Sequence, residues 1–339
     1  MRIVVTGASG FLGTLLVEEL LRTRTCAGAP VTGLVLVDRV LPAHGADPVV
    51  RTVTGDLADV LADVFAEPVD LVFHLAAAVS AECEADFDLG MRANADTTRA
   101  LLQTAREQAR GGGPVVRAVF TSSIAVYGRA PGGEPGPPVS ETTLPAPRSS
   151  YGTQKLMCEH LVADMTRRGF VDGRVARLMT VVVRPGRPNA AASGFLSAIV
   201  REPLAGRPAL CPVAPDLTVA LASPRTTVQA LLRIAGAGHG SGPGLIEGAE
   251  PVNVPALTVS VAHMLATLRK VAGAATADLV TVAPDPAVEA IVGSWPADFD
   301  GRRAAALGLL PDADFEAVVR AYLADHPEAV AGPPGAGPR

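Results

Sequence analysis

The sequence of 339 residues contains little lysine, few aromatic residues and few cysteines. Its two lysines are Lys155 and Lys270, and arginine supplies the rest of its 29 basic residues. The net charge is -5 and basic residues form no long run, so the chain lacks the basic patch that binds nucleic acid or an anionic membrane. We therefore expect a small-molecule substrate as partner, with no nucleic acid and no membrane. Because lysine is rare here, a lysine inside a motif is informative.

Two further scarcities concern metal sites and membrane segments. Cys26, Cys83, Cys158 and Cys211 are scattered, with no Cys-x-x-Cys pair and no histidine at ligand spacing, which predicts reduced core thiols and no metal site. No apolar run reaches about 18 residues, the length of a membrane span. The N-terminus passes within a few residues into a glycine-rich loop rather than an apolar signal segment. We expect a cytoplasmic protein.

The N-terminal stretch predicts a dinucleotide site. A strand-like run at residues 2–6 is followed at once by Gly7, Gly10 and Gly13, and then by the apolar stripe of a helix. In this order, Gly7 permits the tight turn, Gly10 lets the backbone approach a pyrophosphate, and Gly13 lets the helix pack on the strand.

Polar residues follow the next strand-like runs. Asp38 ends the second run, at about the position where a carboxylate accepts from the ribose hydroxyls and repels a 2'-phosphate. It favours NAD over NADP, whereas Arg39 beside it could serve a 2'-phosphate. Asp56, after the third run, could accept from the adenine amino group. His74 ends an apolar strand and is interpreted as a satisfied core histidine, and Asn94 as a buried helical support.

A tyrosine and a lysine four residues apart predict the chemistry. Tyr151 and Lys155 follow a Pro-rich loop, and on a helix they share one face. An ammonium close to a phenol favours the phenolate, which makes Tyr151 a candidate general base. Ser123 ends the fifth strand-like run, at the edge where open α/β sheets bind ligands, and supplies a hydroxyl partner. The alternative is a chance spacing on a surface helix.

Together these motifs resemble the extended short-chain dehydrogenase/reductases over residues 1–240. The resemblance rests on Gly7-x-x-Gly10-x-x-Gly13, Asp38, Asp56-Leu57, His74-Leu75-Ala76-Ala77, Ser123 within Thr-Ser-Ser-Ile-Ala-Val-Tyr-Gly, Tyr151-x-x-x-Lys155 and Arg184-Pro185-Gly186. It implies an α/β fold, a Rossmann-type doubly wound parallel sheet with a smaller C-terminal substrate lobe. We expect an NAD-binding domain with the catalytic residues at 1–185, a mixed α/β substrate lobe at 186–328 that can share strands or helices with it, and a disordered tail at 329–339.

The resemblance also implies roles. Ser123, Tyr151 and Lys155 would be catalytic, Asn94 would support a proton relay, and the backbone after Pro185 would face the nicotinamide amide. A homodimer is implied, through helices around 85–108 and 150–167. The implied NAD-binding set is Gly7, Ser9, Gly10, Phe11, Leu12, Gly13, Asp38, Arg39, Asp56, Leu57, Leu75, Ala76, Ala77, Asn94, Tyr151, Lys155 and Pro185.

A narrower resemblance, to the D-erythronate dehydrogenases, lies in the stretches 183–195, 201–204 and 223–227. Those NAD-dependent enzymes oxidise a four-carbon sugar acid at C2, and Met179 departs from a proline expected in that group. Burial of the substrate carboxylate needs paired donors, and Arg225 would supply the charge. The candidate substrate-binding residues are Ser80, Ser123, Tyr151, Asn189, Ser193 and Arg225.

Two other functions remain open. A nucleotide-sugar 4-epimerase uses the same three catalytic residues, although Phe195 alone is aromatic in the stretch 187–230, where a stacking residue for the nucleotide would be expected. Dehydration is disfavoured because Ile124 and Ala125 occupy the places of the acidic pair. A non-catalytic NAD sensor is the remote alternative, and such proteins usually lack the tyrosine–lysine pair.

Overall fold

A computed structural model describes residues 1–41, 47–128, 136–186 and 191–329. Asn189 and Arg187 lie outside the described residues, as does the predicted tail beyond residue 329. The strands are β1 (Arg2–Thr6), β2 (Thr25–Cys26), β3 (Ala29–Pro30), β4 (Gly33–Asp38), β5 (Val50–Thr54), β6 (Leu71–His74), β7 (Arg117–Ser123), β8 (Asp172–Leu178), β9 (Thr180–Val181), β10 (Ala209–Cys211), β11 (Thr218–Ala222), β12 (Gly238–His239), β13 (Leu245–Ile246), β14 (Pro251–Asn253), β15 (Leu257–Ser260) and β16 (Val280–Val282).

The helices surround these strands. They are α1 (Phe11–Thr23), α2 (Leu57–Val64), α3 (Ser80–Ala85), α4 (Phe87–Gly90), α5 (Thr97–Arg110), α6 (Ser150–Arg167), α7 (Gly194–Leu204), α8 (Pro224–Gly236), α9 (Val261–Ala272), α10 (Ala274–Ala277), α11 (Pro286–Val292), α12 (Arg302–Ala306) and α13 (Phe315–Asp325). A π-helical turn, Met91–Asp96, joins α4 to α5, and the segments Ile124–Val126 and Pro327–Ala329 are 3₁₀ turns.

A seven-stranded sheet in the order β14-β8-β7-β6-β1-β4-β5 forms the centre of the molecule. Every neighbouring pair in it is parallel. From β1 the chain builds outward through β4 and β5, and then returns to build the other side through β6, β7 and β8. The order therefore reverses between β1 and β6, and open sheets of this kind bind ligands at the carboxyl ends of the strands at that point. The predicted fold class is confirmed.

Alternating side chains of each central strand feed two separate cores. Ile3 and Val5 point into the core beneath α1 and α8, whereas Val4 points into the core beneath α2, α5 and α6. All three residues have no exposed surface. Parallel strands covered on both faces need apolar residues at every position, which explains the unbroken apolar runs in the sequence.

The second half of the chain builds a third core and also returns to the first. Its own sheet has the order β15-β11-β9, and α7, α9 and α13 pack around it. Strand β14, however, pairs with β8 at the edge of the large sheet, and α8 packs on the core beneath it. The division at residue 185 stays a prediction, and elements are shared across it.

Two predicted elements differ from the structure. The apolar run 175–183 predicts one strand from the sequence alone, but β8 ends at Leu178 and β9 begins at Thr180 in a different sheet, with buried Met179 between them. The sequence also predicts a helix near 258–272. In the structure that helix begins at Val261, because Leu257–Ser260 pairs with β11 as an antiparallel strand. A short apolar run does not distinguish a strand from a helix, so local sequence could not place either boundary.

The four cysteines are buried free thiols. Within the described ranges, each helix falls short of the length and apolar character that crossing a bilayer requires.

Candidate active site

A cleft follows the carboxyl edge of the large sheet at the point where the strand order reverses. One half, a cavity of about 280 Å³, is lined by Ser123, Tyr151, Lys155 and Arg184 among others. The other half, about 390 Å³, is lined by Asp38 and by the residues around it. The two halves adjoin, because they share four lining residues, Gly7, Gly10, Leu75 and Ala77.

The glycine loop after β1 has no room for side chains. Gly7 has φ +70°, and a Cβ atom there would lie 2.7 Å from the backbone nitrogen of Ala76. A Cβ atom on Gly13 would lie 2.2 Å from the carbonyl oxygen of Gly7. Gly10 precedes α1 without a side-chain cap, so the N–H groups of the first turn remain available to an anion. This loop fits the diphosphate of a dinucleotide, as the sequence predicted.

The carboxylate of Asp38 is fixed beside this loop. One of its oxygens accepts from the backbone N–H of Ser9 at 3.0 Å, and the other accepts from that of Arg39 at 2.7 Å. Each oxygen keeps a lone pair that a ribose hydroxyl can use. Asp56 caps α2 by accepting from the N–H of Ala58 at 3.1 Å and lines the same half of the cleft. These residues fit the adenosine end of NAD.

His74 anchors the end of β6 from inside the protein. The hydroxyl of Thr98 donates to the carbonyl of Asn94 at 2.5 Å, so it accepts from Nε2–H of His74 at 3.0 Å. Nδ1 then accepts from the hydroxyl of Thr6 at 2.7 Å, and that hydroxyl accepts from the N–H of Ala76 at 3.2 Å. Burial lowers the pKa of His74 to about 3, so the ring is neutral. It holds the backbone that forms the floor of the cleft.

Asn94 supports the site from behind. It is 2% exposed, accepts from the N–H of Ala78 at 2.8 Å, and donates to Oε1 of Gln154 at 2.9 Å. It therefore joins the chain after β6 to helix α6. Asn94 is not among the described residues that line the cleft, and the cofactor contact that the resemblance implies for it stays a prediction.

Helix α6 and strand β7 bring the three predicted catalytic residues together. Ser149 caps the first turn of α6, which places Tyr151 and Lys155 on the face toward the sheet. Nζ of Lys155 donates to the carbonyl of Thr121 at 2.9 Å and lies 5.7 Å from the ring centroid of Tyr151. The hydroxyl of Ser123 lines the same cavity as the phenol of Tyr151 and lowers its pKa. The sheet edge and the helix thus place Ser123, Tyr151 and Lys155 in one cavity.

Burial controls the charges of this group. It raises the pKa of Tyr151 to about 12, against the hydrogen bond from Ser123 and the charge of Arg184, which lower it. Burial also lowers the pKa of Lys155 to about 8. The sequence had predicted that the lysine would lower the pKa of the phenol. In this structure burial raises that pKa instead, and the charge that lowers it is that of Arg184.

Three polar residues, Ser80, Arg184 and Ser193, line the same cavity as Tyr151. Oγ of Ser80 accepts from the N–H of Ala192 at 3.1 Å, and Nη2 of Arg184 donates to Oγ of Ser193 at 3.3 Å. Ser80 and Ser193 are buried, and all three residues line the cavity. The sequence analysis missed a role for Arg184. The signal was present, because this charged residue directly precedes the Pro-Gly pair where a strand-like run ends.

Arg225 lies elsewhere. Its side chain is 60% exposed and forms a bidentate ion pair with Asp325, with Nε 2.9 Å from Oδ2. Ser223 caps α8 and Arg225 stands in its first turn, which faces α13 rather than the cleft. The expectation that Arg225 binds the substrate carboxylate is therefore corrected. Pro185 borders a groove beside the cleft, together with Ser9 and Phe11.

Residues 3–220 match the model of the NAD dependent epimerase/dehydratase family. The chain belongs to this family. The predicted resemblance to the extended short-chain dehydrogenase/reductases is thereby confirmed.

Members of the epimerase/dehydratase family resemble the chain over nearly its whole length. It is 50% identical to a D-erythronate dehydrogenase of Cupriavidus necator, over 96% of this chain and 98% of that protein. It is 39% identical to a D-erythronate dehydrogenase of Haemophilus influenzae, over 95% and 99% respectively. Among solved structures, a nucleoside-diphosphate-sugar epimerase of Agrobacterium tumefaciens matches with a TM-score of 0.88 and 36% identity, over 97% of this chain and 95% of that one.

Proposed function

We propose that the protein is an NAD-dependent dehydrogenase that oxidises a small sugar acid, D-erythronate to 2-dehydro-D-erythronate. The observation that carries this proposal is the presence of Ser123, Tyr151, Lys155 and Arg184 in one small cavity at the switch point of the sheet. The two relatives named D-erythronate dehydrogenase support the choice of acid.

The cofactor would be held by the glycine loop and by Asp38. Gly7 and Gly13 leave the backbone free to approach a diphosphate, and the carboxylate of Asp38 would accept from the ribose hydroxyls and oppose a 2'-phosphate. NAD, when bound, accepts a hydride at its nicotinamide ring and brings a positive charge to the cavity. Burial disfavours the phenolate of Tyr151. The positive charge of the bound nicotinamide would oppose this effect and lower the pKa of the phenol.

Tyr151 is the proposed proton acceptor. Its phenolate takes the proton from the C2 hydroxyl of the substrate, while Ser123 donates a hydrogen bond that orients first the alcohol oxygen and then the carbonyl oxygen. Lys155 is held by the carbonyl of Thr121 at 2.9 Å, which keeps its charge beside the phenol.

Arg184 is the proposed partner of the substrate carboxylate. Burial lowers the pKa of this guanidinium, although an arginine remains charged at neutral pH. A desolvated cation gains more from an incoming carboxylate than an exposed one does. Ser193 and Ser80, which line the same cavity, would add neutral hydrogen bonds.

The alternative is a nucleotide-sugar 4-epimerase, which needs the same three catalytic residues. The similarity to the nucleoside-diphosphate-sugar epimerase of Agrobacterium supports this alternative. The catalytic half of the cleft, about 280 Å³, favours a small acid. Ile124 and Ala125, which follow Ser123, are buried in a 3₁₀ turn and provide no acidic pair for dehydration. A non-catalytic NAD sensor would not require a buried tyrosine and lysine in this cavity.

We also propose a homodimer and a cytoplasmic location, as the sequence predicted. Phe87 on α4 and Met157 on α6 belong to the implied dimer surface and are 60% and 46% exposed. Burial of these apolar side chains would stabilise a dimer, and size-exclusion chromatography with light scattering tests it.

The decisive test is an assay of the purified protein with D-erythronate, D-gluconate and a UDP-hexose, with NAD and NADP in parallel, read as absorbance of reduced cofactor and as sugar epimerisation. We expect oxidation of D-erythronate, with kcat/KM for NAD higher than for NADP by about tenfold or more, which corresponds to 1.4 kcal/mol. Epimerisation of the UDP-hexose without oxidation of any acid would overturn the proposal.

Replacement of the proposed base provides a matched test of mechanism. Tyr151→Phe should lower kcat by roughly 10²-fold or more, the usual contribution of a positioned general base. NADH affinity, measured by calorimetry, should change little because the phenol acts on the substrate. A Tyr151→Phe variant that retained most of its activity would show that another group accepts the proton.

A further inference from the structure

Trp295, the only tryptophan in the sequence, lines the catalytic half of the cleft. It stands between α11 and α12, far along the chain from Ser123 and Tyr151, which line the same cavity. Its partly buried side chain packs against the core under the large sheet and also against the core of the second half. The indole therefore contacts both cores and also lines the cavity that contains Ser123 and Tyr151.

The segment that carries Trp295 is tied down on both sides. The backbone N–H of Trp295 donates to the carbonyl of Val292, at the end of α11, at 3.2 Å. Two residues later, the carbonyl of Ala297 accepts from the hydroxyl of Thr258 at 2.7 Å. Two backbone hydrogen bonds of 2.9 Å then join the following residues to Val139. These anchors make the indole a fixed wall of the cavity.

The size of the cavity gives this wall a consequence. The cavity of about 280 Å³ is also lined by the glycine loop, so the nicotinamide end of the cofactor would take part of it and the substrate the rest, next to Ser123 and Tyr151. An indole is the largest side chain that a protein can place there. It has few conformations, because only two of its bonds can rotate. A wall of this kind discriminates by length, because each extra carbon of a substrate must displace it or remain outside.

We propose that Trp295 determines the chain length of the acid that the enzyme accepts. It forms the wall against which a four-carbon acid fits, and it excludes acids that are longer by one or two carbons. This inference rests on the proposed oxidation of a sugar acid and adds a residue that determines which acid is used.

The test compares acids that share one configuration at C2 and C3 and differ in length, namely D-erythronate, D-ribonate and D-allonate. Trp295→Ala should raise the ratio of kcat/KM for D-allonate to that for D-erythronate by about tenfold or more, the discrimination that one or two methylenes give in a pocket. Trp295→Phe should give an intermediate ratio. KM for NAD should change little.

Phe195→Ala is the matched control. Phe195 is a partly buried aromatic residue that packs against the same core of the second half, but it is not among the described residues that line the cavity. Its removal should leave the ratio of the two acids unchanged. An equal loss of activity on all three acids in Trp295→Ala would assign the indole to packing alone and overturn the inference. A wild type that oxidised none of the acids would instead overturn the proposed function itself.

Fluorescence of the wild-type protein provides a measurement that does not depend on a variant folding. Because Trp295 is the sole tryptophan, the indole emission reports on one site. Addition of D-erythronate to the protein saturated with NADH should change that emission with the same midpoint that calorimetry gives for binding of the acid. Binding by calorimetry without a change in emission would show that the acid does not meet the indole.

Discussion

At the scale of single residues, two arginines of the same chain illustrate how surroundings decide a role. Arg184 lines the catalytic cavity, donates to Ser193, and has its pKa lowered by burial. Arg225 is paired with Asp325 in solvent. The sequence shows both as arginines near the start of a loop or helix, and the difference between them arises from the direction in which α8 and the chain after β9 are packed.

Replacing each arginine by glutamine tests the assignment. Arg184→Gln should raise KM for D-erythronate by roughly 10- to 100-fold, because a hydrogen bond to a charged group contributes about 1.5–3 kcal/mol. Arg225→Gln should leave KM near the wild-type value, since its charge is already satisfied at the surface. KM for NAD serves as the internal reference in both variants. The reverse pattern would restore Arg225 to the site and remove Arg184 from it.

His74 makes stability depend on pH. Its pKa is about 3 in the folded protein, lowered by burial from 6.5, so the unfolded chain binds a proton in the window between these values and the folded chain does not. The contribution of neutral His74 to the free energy of unfolding is complete above pH 6.5. It is lost as the pH falls toward 3, at about 1.4 kcal/mol per pH unit. Urea denaturation at pH 7 and pH 5 should show a larger loss for wild type than for His74→Gln. Equal losses in the two proteins would mean that His74 is protonated in the fold.

At the scale of elements, the turn from β1 into α1 is packed too closely to admit a side chain at Gly13. The space that a side chain would need at Gly13 is filled by backbone atoms of Gly7 and Ala8, at 2.2 and 2.8 Å from the position of a Cβ atom. Backbone cannot rotate away as a long side chain can. The loop is thus held in the one shape that lets its N–H groups face the cleft.

Gly13→Ala should therefore lower both stability and NADH affinity. Overpacking of this kind costs about 1–3 kcal/mol, and the displaced loop should no longer place its N–H groups on the diphosphate. Gly301→Ala is the control, because a Cβ atom there meets no heavy atom within 4 Å and φ is -82°. Thermal unfolding and NADH titration are the measurements. If Gly13→Ala bound NADH as wild type does, the loop would not be the diphosphate site.

Some elements could be predicted from the sequence, and the reason lies in their chemistry. Strand β1 and its glycine loop are local signals, since a buried parallel strand must be apolar throughout and the turn must be free of side chains. The strands β9, β11 and β15 have no such signal. They are short, and their pairing depends on residues far apart in the chain. The position of Trp295 in the cavity could not be predicted either, because it depends on packing between parts of the chain that are far apart in sequence.

At the scale of the whole molecule, a buried chain of polar contacts crosses between the halves behind the catalytic residues. Ser122 donates to Glu159 at 2.5 Å, and Arg177 forms a bidentate pair with the same carboxylate at 2.9 and 2.6 Å. Arg177 also donates to the hydroxyl of Tyr127 at 2.5 Å, which in turn contacts Asn253 on β14 at 3.0 Å. The network ties β7, α6 and β8 to a strand contributed by the second half. It predicts that the parts of the chain on either side of residue 185 unfold together.

Glu159→Gln should be strongly destabilising, because it leaves the guanidinium of Arg177 buried without a counter-charge. Breaking a buried pair in this way costs about 3–5 kcal/mol. The exposed pair of Asp164 with Arg167, whose side chains are 53% and 73% exposed, offers the control. Asp164→Asn should shift the urea midpoint little, since water and salt screen such a pair. Because the network reaches β14, unfolding of the Glu159→Gln variant should remain a single transition at a lower urea concentration. Two separate transitions would show that the halves unfold independently and that the buried pair stabilises the first half alone.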